Sequence, residues 1–282
     1  MIQAIDLSFG YRNDQTILNH LDFQLPSGTI TGLLGKNGVG KTSLLRMMAG
    51  LVYPTIGSIH VTEYTPQHRL PDFLKDIYFV PEDFYVPDLT IEKYISVFGT
   101  YYPRFDYDKC DELIQSQELK LSNKLGKLST GQRKKFIIAF ALSTGCKALL
   151  FDEPTNGLDI SSKSEFRKIV ASSISDNQQI IIATHQVNDI SLLIDRLMII
   201  DNSKIRLNAS LLDISQQYLF EEVAELNNPQ IIFSEPTWNG FKAIIAKENQ
   251  GSTVDVEILF KAVIAGKFSY SDKNIITQTQ IL

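Results

Sequence analysis

The chain has 282 residues, 44% of them hydrophobic and 21% charged, with a formal net charge of −5. That balance belongs to a folded globular protein with a sizeable core, and it excludes a disordered, collagen-like or small disulfide-stapled chain. The acidic balance argues against nucleic acid as the main partner.

Residues 4–9 and 18–25 alternate in part and read as short strands, closed by the turn Pro26-Ser27-Gly28. Residues 29–34 form an apolar strand that runs into a glycine-rich loop, 35–40. Residues 41–49 have helical spacing, with Gly50 as a C-cap. A turn at Tyr53-Pro54 and Gly57 precedes a strand near 58–62, and residues 77–80 are a short buried strand ended by Pro81. From about 90 to 142 the pattern is helical. Ile91, Tyr94, Ile95 and Phe98 share one face, Leu113, Ile114 and Leu119 begin a second helix, and residues 132–142 form a third. Tyr101-Tyr102-Pro103 reads as internal packing, and Arg133-Lys134-Lys135 as a solvated helix face with some stabilisation near a bound nucleotide. Strands at 148–151, 179–183 and 197–200 then alternate with helices at 163–174 and 187–194, which implies a parallel sheet covered on both faces.

Residues 211–282 differ in kind. They hold 9 Asp+Glu against 5 Lys+Arg, whereas the first 210 residues hold 23 against 22. Their eight aromatic residues imply a folded extension, read as a helix at 211–226, strands at 231–233 and 241–246 joined at Asn239-Gly240, and a helix at 254–265. Cys110 and Cys146 lack metal spacing and read as free thiols in a reducing cytosol. The N-terminus has no apolar signal region, and no apolar run is long enough to span a membrane.

Gly35-Lys36-Asn37-Gly38-Val39-Gly40-Lys41-Thr42 fits the phosphate-loop pattern G-x-x-x-x-G-K-[ST]. Gly35, Gly38 and Gly40 allow main-chain N–H groups, including that of Asn37, to converge on phosphate oxygens at the N-terminus of a helix. Lys41 supplies a point charge to the β- and γ-phosphates, and Thr42 offers a hydroxyl to Mg²⁺. The apolar strand 148–151 ends in Asp152-Glu153. Adjacent carboxylates at the end of a buried strand are costly unless a cation or a reaction uses them. Asp152 suits Mg²⁺ and Glu153 a general base on water. His185, just past the strand 179–183, is placed either to bond the γ-phosphate or to orient Glu153.

Taken together these residues resemble the nucleotide-binding subunit of ABC transporters, over residues 1 to about 210. Leu128-Ser129-Thr130-Gly131-Gln132 is similar to the family signature LSGGQ, and Asn156-Gly157-Leu158-Asp159 to the loop after the carboxylate pair. Tyr11 resembles the aromatic residue that stacks on adenine, and His185 the switch histidine. The resemblance implies a P-loop NTPase of α/β class: a RecA-like parallel core with an N-terminal antiparallel β subdomain, a helical insertion at about 88–142 and a small α/β C-terminal extension. It implies ATP and Mg²⁺ as cofactors, with Gln132 and Asp159 among the ATP-binding residues, and a homodimer or heterodimer in which Ser129 and Gly131 of one subunit complete the other's ATP site. It also implies an integral membrane permease as partner, on the cytoplasmic face of the cell membrane, coupled through the helical insertion. Two departures stand out. Thr130 replaces the first glycine of the signature. Glu82, after 77–81, replaces a glutamine that contacts Mg²⁺ and water, so it would bind the metal as a carboxylate. The Pro81-Glu82 version resembles the drug and antibiotic exporter branch and leans toward export. The alternative reading is a soluble ABC ATPase without a permease, such as an iron–sulfur assembly type.

Overall fold

The structure is a computed structural model, which describes residues 1–11, 15–246 and 251–270. Parts of the expected extension, 247–250 and 271–282, lie outside the described residues. In chain order the elements begin with β1 (Ile2–Phe9), β2 (Leu18–Leu25), β3 (Ile30–Leu34), α1 (Lys41–Met48), β4 (Ile56–Val61), α2 (Pro71–Asp76) and β5 (Ile77–Val80). The helical stretch follows as α3 (Ile91–Phe98), α4 (Tyr107–Ser116) and α5 (Thr130–Ser143). Then come β6 (Ala148–Asp152), α6 (Ile160–Ser173), β7 (Gln179–Thr184), α7 (Val187–Ile190), β8 (Arg196–Asp201) and β9 (Lys204–Ser210). The chain closes with α8 (Leu211–Gln217), β10 (Tyr218–Val223), β11 (Ile231–Thr237), β12 (Gly240–Ala246) and α9 (Val256–Ile264).

The central sheet has the order β5-β6-β7-β3-β8-β9. β5, β6, β7, β3 and β8 pair in parallel, and β9 adds an antiparallel edge. Every residue of β3, β6, β7 and β8 is buried. That is why these strands read as apolar runs rather than as alternating ones. An antiparallel sheet, β2-β1-β4, packs over α1 and the other face of the central sheet.

The helical stretch has its own core of aromatic and aliphatic side chains, and α5 joins it to the sheet. Phe136 and Phe140 of α5 pack with Ile91, Ile95 and Ile114, whereas Ile137, Ile138 and Ala141 pack against the strands. A helix apolar on all sides is one that is buried. Lys134 lies on it at 6% exposure, and Lys135 pairs with Glu165 at 2.9 Å. The basic run at 133–135 is therefore not a solvated face.

Three further expectations need correction. The second helix of the insertion is α4, so Leu113 and Ile114 lie near its end. Leu119 follows it, past Glu118 in a left-handed conformation. α7 stops at Ile190 instead of continuing to 194, because Asp195 exchanges main-chain and side-chain bonds with Ile30 and draws the chain back to the sheet. The expected helix at 211–226 ends at Gln217, and residues 218–223 form β10, paired with β12 in the order β10-β12-β11. There Phe220 sits opposite Ile244, and strand pairing overrides a helical pattern. α2 and β9 were not expected.

The extension is docked, not dangling. Leu259, Ala262 and Val263 of α9 and Ile244 of β12 belong to the same buried cluster as the central sheet. Trp238, at the turn between β11 and β12, points the other way and is 98% exposed. Because Leu259 is fully buried in that shared cluster, Leu259→Ala is expected to destabilise the protein by about 2–5 kcal/mol. Urea unfolding should show this as one cooperative transition at lower denaturant. A separate early transition, with the rest unmoved, would contradict shared packing.

Candidate nucleotide site

The phosphate-loop residues connect the central strand β3 to α1. Gly40, at φ +107, turns the chain into the helix, and a side chain there would collide with Leu18 and Ile17. Gly35 lies so close to the Ile200 carbonyl that a Cβ would sit 2.5 Å from it. The loop is thus wedged between two strands and cannot carry side chains at these points. Lys41 is buried, and its Nζ donates to the carbonyls of Gly35 (2.8 Å) and Lys36 (3.2 Å). Burial pushes its pKa down, and the nearby carboxylates of Glu153, Asp152 and Glu82 push it back up.

β6 and β7 run side by side, so their C-terminal ends bring Asp152, Glu153, Thr184 and His185 together next to the loop. Glu153 has a left-handed backbone, φ 46, and is buried. Its Oε2 accepts from the Thr184 hydroxyl at 2.8 Å, and its Oε1 accepts from the His185 N–H at 3.1 Å. The His185 ring Nδ1 lies 2.8 Å from the same oxygen, and Lys41 Nζ lies 3.9 Å from it. Of the two placements for His185, this geometry favours orienting Glu153. Asp152 is 2% exposed. Its pKa is raised, first by burial and then by Glu153 and Glu82, with the Thr42 hydroxyl bond and Lys41 acting against this.

Among the described residues the Asp152 Oδ1 atom has no hydrogen-bond partner, and it is buried. A buried, unpaired carboxylate oxygen beside a hydroxyl is the donor set a hard divalent cation takes. Among the described residues no three acidic, His or Cys side chains cluster as a self-sufficient metal site. Thr42, Asp152 and Glu82 therefore fit Mg²⁺ only in company with phosphate oxygens.

The cleft measures about 540 Å³, and its lining includes Tyr11, Asn37, Gly38, Gly40, Lys41, Thr42, Glu82, Glu153 and His185. Tyr11 stands at its rim, 56% exposed, edge-on to Phe9, with its hydroxyl accepting from Ser43 at 3.2 Å. Gly35 and Asp152 are buried without lining it, and Ser129, Gly131, Gln132 and Asp159 do not line it either. Ser129 instead caps α5 in a reciprocal box with Gln132, with bonds of 3.2 and 3.0 Å. Asp159 caps α6 by accepting from Ser162 N–H and Ser161 Oγ, bonds that hold its carboxyl at about 2. Thr130 is simply the first residue of α5 and has no positive φ, so the change from glycine is tolerated.

Three contributors escaped the sequence reading. Asn156 lines the cleft and donates from Nδ2 to Glu82 Oε1 at 2.6 Å. Thr184 holds Glu153, and Ile17 lines the cleft beside Tyr11. Asn156 lay within the quoted loop motif, but nothing there indicated that its amide reaches Glu82.

Comparison with known proteins points the same way. The sequence profile of the ABC transporter family matches residues 18–156. The Nod factor export ATP-binding protein I of Rhizobium sp. (strain N33) is 31% identical over 245 residues, covering 82% of this chain and 79% of that protein. The protein of the same name from Burkholderia lata is also 31% identical, and this chain spans 65% of its length. Among solved structures, cbiO1 from Clostridium perfringens, part of the ABC transporter complex cbiONQ, superimposes with a TM-score of 0.63 at 25% identity over 74% of this chain and 88% of that one. No helix among the described residues is long and apolar enough to cross a membrane. On this kinship the chain belongs to the ATP-binding cassette ATPases of the ABC transporter family.

Proposed function

We propose that two ATPase subunits, this chain with a second copy or a related chain, close around ATP and Mg²⁺, and that closure and hydrolysis drive a separate membrane permease, in the direction of export. The observation that carries this is a division of labour within one chain. The phosphate-loop residues Asn37, Gly38, Gly40, Lys41 and Thr42 meet Glu153 and His185 at one cleft, with Asp152 buried at the adjoining strand end, whereas Ser129 and Gly131 open α5 outside it. A cleft that lacks its signature residues is half a site. A head-to-tail partner supplies the other half, with the α5 N-terminus facing the γ-phosphate.

In that arrangement Tyr11 stacks on the adenine, and the loop amides and Lys41 bind the phosphates. Glu153 takes the proton of the attacking water as its oxygen bonds to the γ-phosphorus and the bond to the bridging oxygen breaks. His185 holds Glu153 in position. Thr42, Asp152 and Glu82 would hold Mg²⁺, which when bound neutralises charge on the β- and γ-phosphates. Asp159, at the cap of α6, belongs to the loop facing the partner.

A second cavity supports the permease as partner. An apolar groove of about 450 Å³ opens on the helical insertion, lined by Leu74, Tyr78, Tyr94, Phe98, Tyr101 and Tyr102. Tyr102 packs inward against Tyr78 and Phe140, while Tyr101 is 65% exposed. An apolar cytoplasmic segment of the permease suits it, which would hold the ATPase at the inner face of the membrane. The export-named relatives and Glu82 support the direction. The complex to which cbiO1 belongs supports a multi-subunit assembly.

Glu153→Gln removes the base and keeps the fold, so ATP hydrolysis should fall by about 10²–10⁴-fold while ATP binding persists. At saturating ATP this variant should elute as a dimer and, from solubilised native membranes, carry an integral membrane protein with it. A monomer would sink the sandwich, and a bare dimer with no membrane partner would turn the reading toward the soluble class. Glu82→Gln should shift the Mg²⁺ half-saturation of ATPase upward by roughly tenfold with ATP binding kept. Superimposable Mg²⁺ titrations would remove Glu82 from the metal's surroundings.

A further inference from the structure

Lys134 lies five residues beyond Ser129, more than one turn into α5, and is 6% exposed. A lysine buried to that degree is rare unless its ammonium is engaged. Here the Nζ donates to two main-chain carbonyls, those of Glu153 at 3.1 Å and Asn156 at 2.8 Å. These residues bound a single tight turn, closed by the Asn156 N–H on the Glu153 carbonyl at 3.2 Å. Burial lowers the pKa of Lys134, while the field of Glu82, Asp83, Glu153 and Asp152 raises it. The ammonium therefore also offsets negative charge around the cleft.

The turn it holds is the unusual one. A non-glycine residue at φ 46 is strained and persists only where its surroundings over-determine it. Glu153 is tied on one side to β7, through its N–H to the Ala183 carbonyl at 2.8 Å and its carboxylate to Thr184. On the other side its carbonyl is tied to α5 through Lys134. The same ammonium fixes the main chain of Asn156, whose side-chain amide holds Glu82 at 2.6 Å.

We infer that Lys134 is a positioning residue for hydrolysis: by clipping both carbonyls of the turn 153–156 it sets the carboxylate of Glu153 and, through Asn156, that of Glu82. This rests on the ATPase reading proposed above. It makes the base of one subunit depend on where that subunit's own α5 stands, and α5 begins with the residues assigned to the partner's nucleotide.

The test uses the full chain and the variants Lys134→Arg, Lys134→Gln and Lys134→Met, with ATP binding measured in EDTA, kcat and KM at steady state, and the Mg²⁺ half-saturation. Lys134→Met is expected to bind ATP within about twofold of the parent and to lose about 10- to 100-fold in kcat with KM little changed. Lys134→Arg should recover most of the loss. The Mg²⁺ half-saturation should rise in Lys134→Met but not rise further when Glu82→Gln is already present, because the two share one path. If Met destabilises the chain, Gln, which keeps a donor without the charge, carries the comparison. An unchanged kcat in Gln and Met overturns the inference. So does a parallel loss of binding, kcat and melting temperature in all three variants, which marks a packing role only. A parent protein without ATPase activity sinks the functional reading and this inference with it, whereas an active parent with an indifferent Lys134→Met sinks the inference alone.

Discussion

Charge buried at the ends of parallel strands governs this molecule. Lys41, Asp152 and Glu153 are all at most 6% exposed, at the place where β3, β6 and β7 terminate. Charges taken out of water destabilise a fold unless neighbours replace the lost hydration. The replacements are specific: loop carbonyls for Lys41, Thr184 and the His185 N–H for Glu153, and the Thr42 hydroxyl for Asp152. One oxygen of Asp152 finds no partner among the described residues. Three carboxylates, those of Glu153, Asp152 and Glu82, act on the buried ammonium of Lys41 there.

The surrounding architecture holds this arrangement from several directions. α5 belongs at once to the helical insertion and to the sheet core, so the insertion is braced against the strands that carry the carboxylates. The C-terminal extension reaches the opposite flank. α9 packs on α7, the short helix after His185, and the Glu257 side chain bonds Asn188 there. The segment that carries the histidine thus lies between the turn 153–156 and the extension.

Much of this could be read from the residues. The phosphate loop, the Asp152-Glu153 pair and His185 carry their chemistry in their spacing, because a loop wedged between strands and acids at strand ends leave few substitutes. Fully buried strands are uninterrupted apolar runs and were visible as such. What was hidden depends on tertiary partners. Tyr218 to Val223 has a helical look, and only the ladder with β12 makes it a strand. Lys134 looks like one member of a basic surface run until the turn 153–156 is folded over it. β9 did leave a mark in the alternation of Lys204 to Asn208, after Asn202 and Ser203, both at positive φ. A two-residue hairpin was there to be found.

Trp238 is the chain's single tryptophan, and it stands at the tip of the β11–β12 hairpin, almost fully in water. Intrinsic indole emission from this protein therefore originates from the turn between β11 and β12, at a residue that does not line the cleft. It is already that of a hydrated fluorophore in the folded state, so unfolding alters its colour little. The native chromophore thus serves as a proximity sensor for whatever approaches that hairpin, leaving the nucleotide cleft without an indole and free to receive one in the place of Tyr11.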